Sequence, residues 1–252
     1  MLGAIIGDIV GSRFEFNNTK SKSFKLFTDE CSFTDDTICT VAVADAILNG
    51  KSYQDSIHGW CRKYPHPMGG YGGSFARWVQ SDNPEPYNSF GNGSAMRVSP
   101  VGWLFNDETE VEFEAAKSAE VTHDHPEGIK GAQVIAMCIY LLRNGANKPY
   151  IEQFVRNEYG AIPTPNPFSN PFDETCMNAV PVSVYCFLQS KDFEDAIRRA
   201  MIVGGDSDTI GAITGSLAEA YYGIPEPIKE SAMSYLPDDM LSVIEKFYKR
   251  HE

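Results

Sequence analysis

Two stretches of the chain each begin with carboxylates and then run on as an almost unbroken apolar helix, and that pairing limits the fold more than any other feature. In the first, Phe33-Thr34-Asp35-Asp36-Thr37 leads into residues 35–48 (DDTICTVAVADAIL), fourteen residues without Gly or Pro. Ile38, Val41, Ala42 and Leu48 lie near one face, while Cys39, Val43, Ala46 and Ile47 fill the others, so this helix is expected to be buried. About 170 residues later, Gly204-Gly205-Asp206-Ser207-Asp208-Thr209 leads into residues 207–222 (SDTIGAITGSLAEAYY), which stop at Gly223 with Pro225 beyond. Gly211, Gly215 and Ala218 form a smooth stripe on that helix, where a neighbouring helix can approach closely.

The other periodic segments are helical too: 110–121, 127–143, 175–188 around Pro181, 192–203 and 239–249. Period-two alternation is nearly absent. The expectation is an all-α fold, a single helical bundle over residues 1–252. Three glycine- or proline-rich loops interrupt it, at 65–73, 83–93 and 160–171; the last, with four prolines, reads as a stiff flap.

Each acidic doublet has a local explanation, as a cap and first turn favoured by the helix dipole. Together they ask for more. Buried carboxylates cost free energy unless compensated, and neither run contains Lys or Arg. A donor set made only of Asp and Thr oxygens suits a hard cation such as Mg²⁺ or Mn²⁺. A further acid, Glu15, sits between Phe14 and Phe16, where burial would raise its pKa toward that of a general base.

Composition narrows the ligand. With 34 acidic against 21 basic residues the formal charge is −13, which argues against general nucleic-acid binding and against an anionic membrane surface. A phosphorylated ligand must therefore be held locally, by backbone amides or cations. Gly91-Asn92-Gly93-Ser94 before a helix-like run suits phosphate oxygens, and Tyr71 within Gly69-Gly70-Tyr71-Gly72-Gly73 is placed to stack on a ring. His123 and His125 flank Asp124; with no third partner nearby they make a weak zinc pair, and His123 reads as a polar ligand contact, His125 as support for the turn before Pro126. The longest clean apolar run, 134–142, is less than half a bilayer's span. Six cysteines without a Cys-x-x-Cys pair read as free thiols, and the expected location is the cytoplasm.

Five ordered motifs together resemble a known family. Gly7-Asp8-x-x-Gly11-x-x-x-Glu15-Phe16, Phe33-Thr34-Asp35-Asp36-Thr37, Gly91-Asn92-Gly93-Ser94-Ala95-Met96-Arg97, Thr122-His123 and Gly204-Gly205-Asp206-Ser207-Asp208-Thr209 are similar to the motifs of the ADP-ribosylglycohydrolases, which include the ADP-ribosylarginine hydrolases. The resemblance spans roughly residues 1–225 and implies an all-α bundle with a binuclear Mg²⁺ or Mn²⁺ centre. It implies metal ligands at Thr34, Asp35, Asp36, Asp206, Asp208 and Thr209, with Glu15 beside the ions in catalysis. It also implies an ADP-ribose cleft lined by Tyr71, Gly72, Gly91, Asn92, Gly93, Ser94, Met96 and His123. The implied reaction releases ADP-ribose from a protein or small-molecule acceptor, first of all arginine; serine, a nucleobase or a small guanidine are alternatives. Two other readings stand beside it. One is an Asp-x-Asp phosphatase, which needs a strand before Asp206; the other is a non-catalytic member that only binds ADP-ribose. The oligomeric state is not legible.

Overall fold

The computed structural model describes residues 1–166 and 170–251. Part of the 160–171 flap, residues 167–169, lies outside them. The described residues form fourteen helices: α1 (Leu2–Gly11), α2 (Asp35–Asn49), α3 (Tyr53–Lys63), α4 (Gly73–Gln80), α5 (Gly93–Met96), α6 (Ser99–Leu104), α7 (Glu108–Glu120), α8 (Pro126–Arg143), α9 (Lys148–Tyr159), α10 (Cys176–Leu188), α11 (Phe193–Val203), α12 (Ser207–Tyr222), α13 (Glu226–Met233) and α14 (Asp238–His251). Among the described residues the one β-type pairing outside helices is a bridge between Gly91 and Thr175. The fold is all-α, as the periodicity predicts.

Local chemistry explains most boundaries. Side-chain caps from Thr34, Ser52, Asp107, Asn147, Thr175 and Asp192 accept backbone N–H groups that would otherwise be orphaned at helix starts. α10 continues through Pro181. α2 and α12 are buried nearly all round, and the apolar side chains of the bundle form one continuous cluster about them.

The partner for the smooth stripe on α12 is α1, and theirs is the most intimate helix pair in the molecule. A Cβ added at Gly3 would sit 2.2 Å from the Gly215 carbonyl oxygen, and one at Gly7 would sit 1.9 Å from the Gly211 carbonyl oxygen. At Gly11 it would sit 2.5 Å from the Asp208 Cα. Only hydrogen in place of a side chain permits that approach. The contact brings Asp8 on α1 and Asp208 on α12 to the same end of the bundle, where α2 begins. No described helix is long and apolar enough to cross a membrane. All six cysteines are buried and free.

Candidate active site

The starts of α2 and α12 meet at the floor of a cleft of about 490 Å³, a size typical of small-molecule sites. Asp35, Asp36, Asp206, Asp208 and Thr209 line it, with Glu15 on one wall and the 69–73 and 91–93 loops on others. Carboxylate oxygens of Asp8, Asp36 and Asp208 lie within 4.8 Å of one another, as do those of Glu15, Asp206 and Asp208. Asp208 belongs to both triplets.

Each member is held by an identifiable local device. Gly204 and Gly205 adopt φ of +78° and +82°, reversing the chain between α11 and α12 so that Asp206 faces the cleft. Asn18 fixes that reversal, accepting from Gly205 N at 2.9 Å and donating to its carbonyl oxygen at 2.9 Å, to Phe14 O at 2.7 Å and to Ser207 Oγ at 3.0 Å. The same residue thereby ties the Glu15 loop to the Asp206 turn. Asn92 Nδ2 donates to Asp206 Oδ2 at 2.7 Å, and Thr209 Oγ1 to Asp36 Oδ2 at 3.3 Å.

Asp8 has a different task. Its two oxygens accept from Thr34 N (2.9 Å), Thr34 Oγ1 (2.7 Å), Thr37 N (3.1 Å) and Thr37 Oγ1, so it grips the first turn of α2. Burial pushes its pKa up to about 6 against those four donors. Thr34 is consequently turned inward: its hydroxyl donates to Asp8 and accepts from Asp36 N at 3.3 Å, and it does not line the cleft.

The remaining acids have fewer donors: Asp206 has Asn92, Asp36 has Thr209 Oγ1, and Asp208 accepts from Thr209 N at 3.0 Å. Among the described residues none of Asp8, Glu15, Asp35, Asp36, Asp206 or Asp208 forms an ion pair with Lys or Arg. Asp36 Oδ1 is buried with no hydrogen-bond partner. Burial, followed by the charges of neighbouring acids, drives Asp36 and Asp208 well above the ordinary carboxylate range. Burial and the Cys39, Asp8 and Asp206 groups do the same to Asp35. Glu15, half-buried, is pushed up to about 7 by burial, then by Asp206, Asp8 and Glu174, with a hydrogen bond to Asp208 pulling the other way. An orphaned buried oxygen among all-oxygen donors fits a hard divalent cation.

Other anticipated residues divide into two groups. Gly72, Gly91, Asn92, Gly93, Met96, Tyr71 and His123 line the cleft. Tyr71 spends its hydroxyl on the Tyr64 carbonyl at 2.6 Å, which leaves its ring facing the cleft wall. Ser94 does not line the cleft: it is fully buried and donates to Gly128 O at 2.6 Å. His125 caps α8, accepting from Glu127 N at 3.1 Å, which is the turn role anticipated for it. The element immediately before Asp206 is helix α11 rather than a strand, so the phosphatase arrangement does not occur there.

The motif around Glu15 contains Asp8 and Phe16 but gave neither a task, and Asn18 and the rim that Phe172 and Glu174 form with Phe16 were missed altogether. The two phenylalanine rings stack at 5.8 Å between centroids although 74% and 47% exposed, beside Glu15 at the cleft mouth. The available signal for Asp8 was a lone acid within an apolar segment; Asn18 and Phe172 gave none, because their partners are about 190 and 160 residues away.

Comparison with known proteins identifies the family and the fold. The ADP-ribosylglycohydrolase family model matches residues 1–252. ADP-ribosylhydrolase ARH3 of Mus musculus is 25% identical, the match covering 96% of this chain and 88% of that protein. ADP-ribosylarginine hydrolase Tri1 of Pseudomonas putida (strain GB-1) is 26% identical over 93% of this chain and 73% of its own. A solved chain of an ADP-ribosylglycohydrolase-related protein complex superposes with a TM-score of 0.78 at 21% identity, covering 100% of this chain and 96% of that one.

Proposed function

The chain belongs to the ADP-ribosylglycohydrolase family, and on that premise we propose that it cleaves the N-glycosidic bond between ADP-ribose and arginine, releasing ADP-ribose. It is a glycosidic-bond hydrolase. Two divalent cations, Mg²⁺ or Mn²⁺, would be held by Asp35, Asp36, Asp206, Asp208 and Thr209, with Thr34 behind. The observation that carries this reading is the set of carboxylates, none paired with Lys or Arg among the described residues, that lines a cleft together with the glycine-rich 91–93 loop.

When bound, such cations would supply positive charge that offsets the acids and attracts the hydroxyls of the distal ribose. The protein's own groups then divide the work. Asn92 holds Asp206 in orientation. In the 91–93 loop Gly91 N donates to Ser89 Oγ at 3.1 Å and Asn92 N to Glu174 O at 2.7 Å, so the Gly93 amide at the start of the helix-like run is the one left to meet the diphosphate. Glu15, beside Asp206 and Asp208 in the cleft, takes the proton of the attacking water as the bond to the acceptor lengthens through an oxocarbenium-like state. The acceptor departs past Phe16, Phe172 and Glu174, an aromatic and acidic rim that suits a planar cation. The arginine hydrolase among the relatives supports the same linkage.

The test is ADP-ribose release from arginine-, serine- and nucleobase-linked substrates in Mg²⁺, Mn²⁺ or chelator. Arginine-linked substrate should turn over fastest, and only with metal. Faster release from serine would move the acceptor assignment, and binding without turnover in any metal would make this a binding-only member. Glu15→Gln should lose turnover by about a hundredfold or more while Mg²⁺ still raises the melting temperature.

A further inference from the structure

Beneath the 91–93 loop lies a chain of three buried polar residues that the reaction as outlined leaves unused. Arg97 is the only Lys or Arg among the described residues lining the cleft, and it is 1% exposed. Its Nη2 donates to Ser118 O at 2.8 Å and to Thr122 Oγ1 at 2.8 Å, while its Nε is buried without a partner. No carboxylate pairs with it among the described ion pairs. Thr122 Oγ1 lies 2.7 Å from His123 Nδ1.

Counting protons settles the direction of these bonds. A guanidinium only donates, so Arg97 occupies one lone pair of Thr122 Oγ1. The threonine hydroxyl then needs an acceptor, and among the described hydrogen bonds only His123 Nδ1 is in reach. If Nδ1 carried the proton instead, the buried threonine hydrogen would be left without an acceptor, which disfavours that tautomer by about fivefold or more in population. The satisfied arrangement puts the ring proton on Nε2. That nitrogen edge lies against the loop: a Cβ at Gly93 would sit 3.0 Å from it, and one at Gly91 3.4 Å. His123 is 5% exposed, lines the cleft, and its Nε2 has no partner within the described residues. Burial first, and the Arg97 charge second, keep the imidazole neutral.

We infer that Arg97 and Thr122 are positioning residues that lock His123 in its Nε2–H form, so that the cleft presents one fixed neutral donor to an anionic oxygen of a nucleotide diphosphate. The ligand rests on the functional reading above; the relay rests on the hydrogen bonds alone. A neutral donor suits this cleft because a protonated imidazole would be drawn toward the acidic wall, whereas a neutral one is directed only by its own hydrogen bonds. The guanidinium below, with no carboxylate to neutralise it among the described ion pairs, adds favourable potential for the anion.

The tautomer is directly measurable. Long-range ¹H–¹⁵N spectra of the labelled full-length protein should show His123 with Nε2 protonated and Nδ1 as the acceptor. Thr122→Val should release that preference and weaken ADP-ribose binding in calorimetry by about tenfold, with the Mg²⁺-induced thermal shift unchanged. Thr122→Ser should restore both tautomer and affinity. A wild-type ring protonated at Nδ1 overturns the inference, and that spectrum decides even if Thr122→Val fails to fold. ADP-ribose affinity undisturbed in a folded Thr122→Val protein overturns the relay alone. Wild-type protein that binds no ADP-ribose at all overturns the functional reading and the ligand named here together.

Discussion

The two ends of α2 each carry a buried aspartate, and they have opposite fates. Asp36, in the first turn, has an oxygen without a partner and is driven well above the carboxylate range by burial and neighbouring acids. Asp45, nearer the C-terminus, is also buried, which by itself would raise its pKa. Yet Lys51 Nζ at 2.7 Å, Trp60 Nε1 at 2.9 Å and Asn49 Nδ2 at 2.6 Å outweigh burial and hold Asp45 below the usual range. The helix dipole predicts the reverse order, since it favours anions at the start of a helix, but it contributes only about 0.3–1 kcal/mol. Hydrogen bonds to charged groups contribute about 1.5–3 kcal/mol each, so partners decide. A compensated buried acid holds the fold together; an uncompensated one is available to something that arrives later.

The largest expected difference between the two ends is in turnover. Asp36→Asn and Asp206→Ala should each lower release of ADP-ribose by about a thousandfold or more with circular dichroism unchanged. Asp45→Asn should leave turnover near wild type in the folded protein. Greater loss from Asp45→Asn than from Asp36→Asn would break the comparison. Next is the response to metal. At a hundredfold excess over its dissociation constant, Mg²⁺ should stabilise wild-type and Asp45→Asn proteins by about 2.7 kcal/mol in thermal unfolding, and Asp36→Asn hardly at all.

Metal-free stability should then invert the order. Asp45→Asn should cost about 2 kcal/mol at neutral pH, read by urea unfolding. Because the folded pKa of Asp45 is depressed, its contribution is complete above the unfolded value of about 3.9 and is lost as pH falls through the folded value. The gap between wild type and Asp45→Asn should therefore close in strong acid. The smallest effect is a gain: without metal, Asp208→Asn should stabilise by about 1 kcal/mol at neutral pH by relieving repulsion from Asp206 and Asp36. A loss there would show that the cluster is compensated after all.

Much of this was legible in the residues. The carboxylate doublets, their helices and the smooth stripe on α12 are local patterns, and local patterns survive folding. α1 was not assigned as a helix, because glycines at every fourth position read as loop until a partner backbone is present to fill their place. Thr34 and Ser94 show the limit for hydroxyls: the sequence places each at the right turn but cannot say whether it faces the cleft or, as here, Asp8 and the Gly128 carbonyl. Asn18 was invisible because its function is defined by Gly205, a residue brought to it only by the finished bundle.

The glycine contact between α1 and α12 bears on ion choice. Side chains at a helix interface can change rotamer and let the helices breathe, but backbone resting on backbone has no rotamer to change. Asp208 rides on that joint directly, and Asp36 is referred to it through the Asp8 grip on α2. The cluster therefore has little means of widening. Ca²⁺ needs six to eight oxygens at 2.3–2.6 Å in a yielding shell, whereas Mg²⁺ accepts about 2.0–2.1 Å in a strict octahedron. On the proposed reading a cage held this way would favour the smaller ion, so Ca²⁺ should raise the melting temperature less than Mg²⁺ does, even though every donor in it is one that calcium would accept.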